Sequence, residues 1–132
     1  YPHVQWITAV HYKAYVHPTS RANFGPGTVI SAGGIIQPDV IIGAHSIINT
    51  STSVDHDCEI GSYVHLAPGV HLAGGVKVAD GVLMGVGSSA IPLASIGEWS
   101  VIGAGAGVMK EIPANTKAIG FPAKPVLDKE IK

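Results

Sequence analysis

Reading every sixth residue from Phe24 to Val108 meets Phe, Val, Ile, Leu or Met at fourteen of fifteen positions, with Ala90 as the exception. These five types make up less than a third of the chain, so the period is not a by-product of composition. Six matches neither the 3.6 of a helix nor the 2 of a plain strand. Four residues after each member of the series stands a mostly small or β-branched residue, as at Thr28, Val40, Ser46, Thr52, Cys58 and Val64. In extended chain, residues two apart point to the same side. The small residue and the next aliphatic one therefore point inward together, and the residue between them points out. What remains of each hexapeptide is rich in Gly, Asn and Asp, which are turn formers. With 17 Gly and 9 Pro, long helices are excluded. The pattern predicts a coil of short strands joined by tight turns.

The periodicity resembles that of the hexapeptide-repeat proteins. That resemblance implies an all-β fold, a left-handed parallel β-helix with three hexapeptides per coil. The hand is the family's, because parallel crossovers in general favour the right. A single domain is expected over 1–132: a lead-in at 1–17, about five coils within 18–113, and a strip and tail at 114–132. A short helix or frayed end is expected from Val126 onward. One vertical step is then eighteen residues. The outward column Val29, Ile47, His65, Leu83 and Val101 is apolar but for its histidine, while the other outward columns are more polar. Such a stripe marks a partner surface. The family's habit of self-association makes that partner two further copies, a homotrimer. The alternative is that the segment Tyr1 to Pro18 covers the stripe.

Charge narrows the function classes. Only 13% of residues are charged and the net charge is −1, which excludes a strongly basic nucleic-acid binder. One cysteine, Cys58, excludes a disulfide scaffold or a Cys-only metal site. The uncharged run Gly81 to Gly97 is broken by Gly, Ser and Pro, so no membrane span is expected. The start lacks the basic-then-apolar order of a signal peptide, and a cytoplasmic location is expected.

The most polar stretch of the coil is Ser53-Val54-Asp55-His56-Asp57-Cys58-Glu59. A histidine titrates near neutrality, and a carboxylate beside it can set its tautomer and stabilise the imidazolium. Eighteen residues above His56 is Gly74, within Ala73-Gly74-Gly75. Bare glycine backbone lets a ligand approach N–H groups that could hold an oxyanion. A base and oxyanion donors on adjacent rungs suit acyl transfer; a solvated polar turn over a Gly turn is the plainer reading.

Asp55-His56-Asp57-Cys58, Ile60-Gly61, His65-Leu66-Ala67-Pro68-Gly69 and Leu72-Ala73-Gly74-Gly75 together resemble the bacterial sialic acid O-acetyltransferase and UDP-4-amino-sugar N-acetyltransferase family, from about Val16 to Val126. The resemblance implies His56 as catalytic base and Asp57 as its supporting acid. It also implies His65 at the acetyl end of the donor and the backbone of Gly74 and Gly75 along the thioester pocket, in sites between subunits. Gly120-Phe121-Pro122-Ala123-Lys124 resembles the Gly-Asn-Pro-Ala-Lys ending of many such enzymes, with Phe121 in place of Asn. There Pro122 and Lys124 would hold coenzyme A near its nucleotide end.

The expected function is therefore acetyl transfer from acetyl-CoA directly to an amine or hydroxyl of a small acceptor, a sugar or nucleotide sugar, with no metal. Family members usually carry an N-terminal sugar-nucleotide domain, so this chain is expected to be a fragment or a stand-alone version. Two alternatives stand beside it: a non-catalytic scaffold, and a zinc enzyme like the γ-class carbonic anhydrases. For the latter, His65 and His71 fall on successive faces and no third ligand follows a recognisable spacing. His45 reads as a surface turn residue, His3, His11 and His17 as structural, and Cys58 as a core filler.

Overall fold

The computed structural model describes residues 3–127 as a left-handed parallel β-helix of two-residue strands on three faces. The first face stacks Ala9–Val10, Val29–Ile30, Ile47–Ile48, His65–Leu66, Leu83–Met84, Val101–Ile102 and Lys117–Ile119. The second stacks Tyr15–Val16, Ile35–Ile36, Ser53–Val54, His71–Leu72, Ser89–Ala90 and Gly107–Val108. The third stacks Ile41–Ile42, Glu59–Ile60, Lys77–Val78 and Ser95–Ile96, extended by single bridges at Phe24 and Ile112. Through the regular part each strand pairs with the one eighteen residues on, as His65 with Leu83 and His71 with Ser89.

The helix has about six coils, not five, because the expected lead-in at 1–17 contributes a rung of its own. There the step is twenty residues, Ala9 pairing with Val29 and Tyr15 with Ile35. The surplus is absorbed around a short 3₁₀ turn at Arg21–Asn23, which takes the first coil out of hexapeptide register and hides it from a sixfold reading. At the other end the step shrinks to sixteen, Val101 pairing with Lys117, and Lys124–Pro125 turns back antiparallel on Ile119 and Ala118. Only Val126 and Leu127 of the expected terminal helix are described, as irregular chain; the rest of that expectation lies outside the described residues. The N-terminal strand pairs with the edge of the first face and leaves the apolar stripe open: Val29, Ile47 and Leu83 are each 38–39% exposed.

Alternation within each two-residue strand builds the core. Ile30, Ile48, Leu66, Met84 and Ile102 stack inside the first face at 1% exposure or less. The small inward positions that carry hydroxyls solve their own burial. Thr28 Oγ1 donates to the Gly43 carbonyl at 2.7 Å, Ser46 Oγ to Gly61 at 2.8 Å and Thr52 Oγ1 to Ala67 at 3.1 Å. Each bond reaches up to the next coil, so a polar atom that would be costly alone becomes a tie between rungs.

Every turn holds one residue in the left-handed region, recurring every six residues from Gly27 to Gly105. Glycine fills seven of these fourteen sites without steric cost; Asp39, His45, Ser51, Asp57, Tyr63, Leu93 and Trp99 fill the rest.

Candidate active site

Two turns at the corner between the second and third faces form the site. The lower is Asp55-His56-Asp57, the upper Ala73-Gly74-Gly75, with Pro92 and Leu93 above them; together they line a groove of about 370 Å³. Asp55 Oδ1 accepts the backbone N–H of His56 at 2.7 Å, closing the turn. Asp57 sits in the left-handed region at φ 59°, which aspartate tolerates better than most residues. From there its Oδ2 lies 2.9 Å from His56 Nδ1. An ionised carboxylate can only accept, so Nδ1–H donates and the neutral ring carries its free lone pair on Nε2. The hydrogen bond that His56 donates to Asp57, and next the charge of Asp55, raise the His56 pKa above the usual 6.5, against a weaker opposing push from burial.

The ring lies against the coil above. A Cβ added to Gly74 would stand 2.7 Å from both Cε1 and Nε2 of His56, so any other residue there would displace the imidazole from this position. At some turn tips a side chain takes the N–H, as at His56, at Thr50 by Asn49 Oδ1 and at Ser62 by Asp80 Oδ1; at others, such as Val86 and Ala104, no acceptor among the described residues meets it. At Gly74 it has no acceptor among the described residues, because Ala73 offers no side-chain oxygen. A neutral imidazole nitrogen and an open backbone donor thus share one corner.

Of the other expected residues, Gly75 lies in the same groove and His65, Pro122 and Lys124 lie elsewhere. Gly75 N–H is occupied, donating to the His56 carbonyl at 2.9 Å, so it contributes a bare Cα and not a donor. His65 points outward from the first face, across the prism from the His56 corner, with Asn49 Nδ2 donating to its Nε2 at 3.2 Å. Pro122 and Lys124 sit at the C-terminal end. There Ala123 N–H donates to the Gly107 carbonyl at 2.8 Å, two rungs above His71 on the second face. That is about 10 Å along the axis. His71 Nδ1 meets Ser53 Oγ at 2.6 Å on the second face, and His45 lies between the rings of Trp6 and Tyr63. Among the described residues no group of three His, Cys, Asp or Glu is placed to hold a metal ion. Pro92 and Leu93 were not expected in the site. The signal was present, since they stand eighteen residues after Gly74 and Gly75, but a single sequence does not say how far a groove extends.

Comparisons with known proteins agree on the fold. No family model matches. PerB from Caulobacter crescentus, solved in complex with CoA and GDP-perosamine, is 41% identical with a TM-score of 0.90, over 93% of this chain and 58% of that one. The acetyltransferase domain of PglB from Neisseria gonorrhoeae, solved with acetyl coenzyme A, is 31% identical with a TM-score of 0.91, over 94% and 60%. A putative acetyltransferase of Schizosaccharomyces pombe is 58% identical over 43 residues, 33% of this chain and 21% of that protein. The chain thus spans about three fifths of the solved relatives and about a fifth of the curated one. These structural neighbours are thus an acetyltransferase domain and a perosamine N-acetyltransferase. No helix among the described residues is long and apolar enough to cross a membrane.

Proposed function

We propose that this chain is the acetyl-transfer unit of an acetyl-CoA-dependent acetyltransferase whose acceptor is an amino group on a sugar or nucleotide sugar. One observation carries the reading: His56, held by Asp57 through Nδ1, presents Nε2 beside the unpartnered N–H of Gly74. The likeness to PerB and PglB supports the donor and the acceptor class. An O-acetyltransferase of the sialic acid type would use the same corner; the N-acetylating neighbours favour an amine.

The acceptor nitrogen attacks the thioester carbonyl and a C–N bond forms. His56 Nε2 takes the proton the nitrogen sheds, and the Gly74 N–H holds the oxyanion of the tetrahedral intermediate. Collapse breaks the C–S bond, and the imidazolium returns its proton to the departing CoA sulfur. The unit works as a homotrimer packed on the first-face stripe. Within one chain His65 lies across the prism from His56, so a neighbouring copy would supply the His65 that meets the acetyl end of the donor, while Pro122 and Lys124 hold the nucleotide end.

The test is CoA release with GDP-perosamine and a panel of other nucleotide amino sugars, next to calorimetry with acetyl-CoA. His56→Ala should lower kcat by about 10²–10⁴ while leaving acetyl-CoA affinity within twofold. His65→Ala and Lys124→Ala should weaken acetyl-CoA binding. Full turnover in His56→Ala would remove the base from the mechanism. An intact oligomer that binds no acetyl-CoA would turn the reading toward a scaffold.

A further inference from the structure

We infer that Cys58 is a positioning residue that aims the Gly74 N–H into the groove. The Cys58 side chain is fully buried directly behind the His56 turn, and its Sγ–H donates to the Ala73 carbonyl at 3.2 Å. That carbonyl belongs to the same peptide unit as the Gly74 N–H. In a trans peptide the two bonds point in opposite directions within one plane. Holding the oxygen inward, against the core, therefore holds the N–H outward. The peptide is polarised as well, since a carbonyl that accepts a hydrogen bond leaves its own N–H a better donor.

The bond belongs to a repeated device. Thr28, Ser46 and Thr52 each reach the carbonyl fifteen residues on, and Cys58 makes the thiol version of that tie at the turn whose open donor, Gly74 N–H, faces the His56 groove. Burial pushes the thiol up to about 11, so at neutral pH it stays protonated and remains a donor. Its enclosure also argues against a nucleophile, for no attacking path to Sγ exists from the groove.

The kinetic part of this inference rests on the acetyl-transfer reading; the structural part does not. The experiment compares the full chain with Cys58→Ser and Cys58→Ala. Serine restores the donor found in the other coils; alanine removes it. With nuclear magnetic resonance on the ligand-free protein, the Gly74 amide proton should move upfield in Cys58→Ala, and return toward the parent value in Cys58→Ser. In turnover, Cys58→Ala should lose kcat by about tenfold, less than the 10²–10³ for removing an oxyanion donor outright, with the KM for acetyl-CoA within twofold. Cys58→Ser should recover most of it. An unmoved Gly74 amide in Cys58→Ala overturns the inference, whatever the activity. Equal losses in the Ser and Ala variants overturn it too, because that outcome describes packing. If the parent shows no turnover while the Gly74 amide responds as stated, the acetyl-transfer reading has failed and the bond stands.

Discussion

At the residue scale, His56 owes its state to its two neighbours. Asp57 bonds its Nδ1 and Asp55 adds a second negative charge, and both favour the imidazolium. A base must be neutral to act, so kcat/KM should fall as pH drops through the His56 pKa, with the midpoint above 6.5. Asp57→Asn removes the larger of the raising effects. It should shift that acidic limb to lower pH and lower the plateau, since Nδ1 is no longer fixed as donor; a pH–rate profile reads both. Linkage has the opposite sense for stability. A raised histidine pKa adds stability below the unfolded value, and that stability is lost as pH rises through the folded one. The side chain is mostly exposed, so this effect should be minor.

At the scale of the coil, glycines serve two ends: some, such as Gly87, fill the left-handed site that recurs every six residues, and others, such as Gly43, make room for the backbone of the coil above. Gly87 has φ 68° and nothing within 4 Å of a would-be Cβ, so Gly87→Ala should cost only the conformational strain, about 1 kcal/mol. At Gly43 a Cβ would stand 2.6 Å from the backbone nitrogen of Ser62, so Gly43→Ala must push two coils apart and should cost at least twice as much. Urea unfolding of the two variants gives the comparison; equal losses would show that the coils can separate freely. Inside, Leu66→Ala should cost about 2–5 kcal/mol, as expected for a fully buried leucine in a stacked column. The first coil carries a further lesson. Tyr15 pairs with Ile35 as regularly as any strand, yet a sixfold reading back from Phe24 falls out of register at Arg21–Asn23. Two extra residues move every later position off its face, and only pairing reveals the compensation.

At the scale of the molecule, the geometry sets His65 and His56 on opposite sides of one prism, and the proposed trimer brings them together from different copies. A ring closed by one repeated heterologous contact would place the His56 corner of each copy against the next copy's first face. Leu83→Glu, in the middle of the open stripe, should then yield a folded monomer by sedimentation and circular dichroism, with turnover lost. Mixing subunits gives a sharper test. His56→Ala and His65→Ala are each expected to be nearly inactive alone, but co-refolded in equal amounts they should regain roughly a quarter of the sites. Failure to recover any activity in mixed oligomers would mean both histidines act within one chain, or that one of them does not act.

The repeat by itself determined the short strands, the turns and the inward and outward sides; the stacking of His56 beneath Gly74 followed once the resemblance to hexapeptide-repeat proteins implied three segments per turn and so a vertical step of eighteen. It also placed an apolar stripe on one face, since outward residues inherit that step. Tertiary structure decided what depends on atoms meeting in space. It spent the Gly75 N–H on the His56 carbonyl, left the Gly74 N–H open, walled the groove with Pro92 and Leu93, and tied Cys58 to Ala73. It also added the coil that an irregular step had concealed. A sequence period reports direction and spacing along the chain; hydrogen bonds between coils depend on which donor the neighbouring backbone reaches first, and that is settled only when the coils stack.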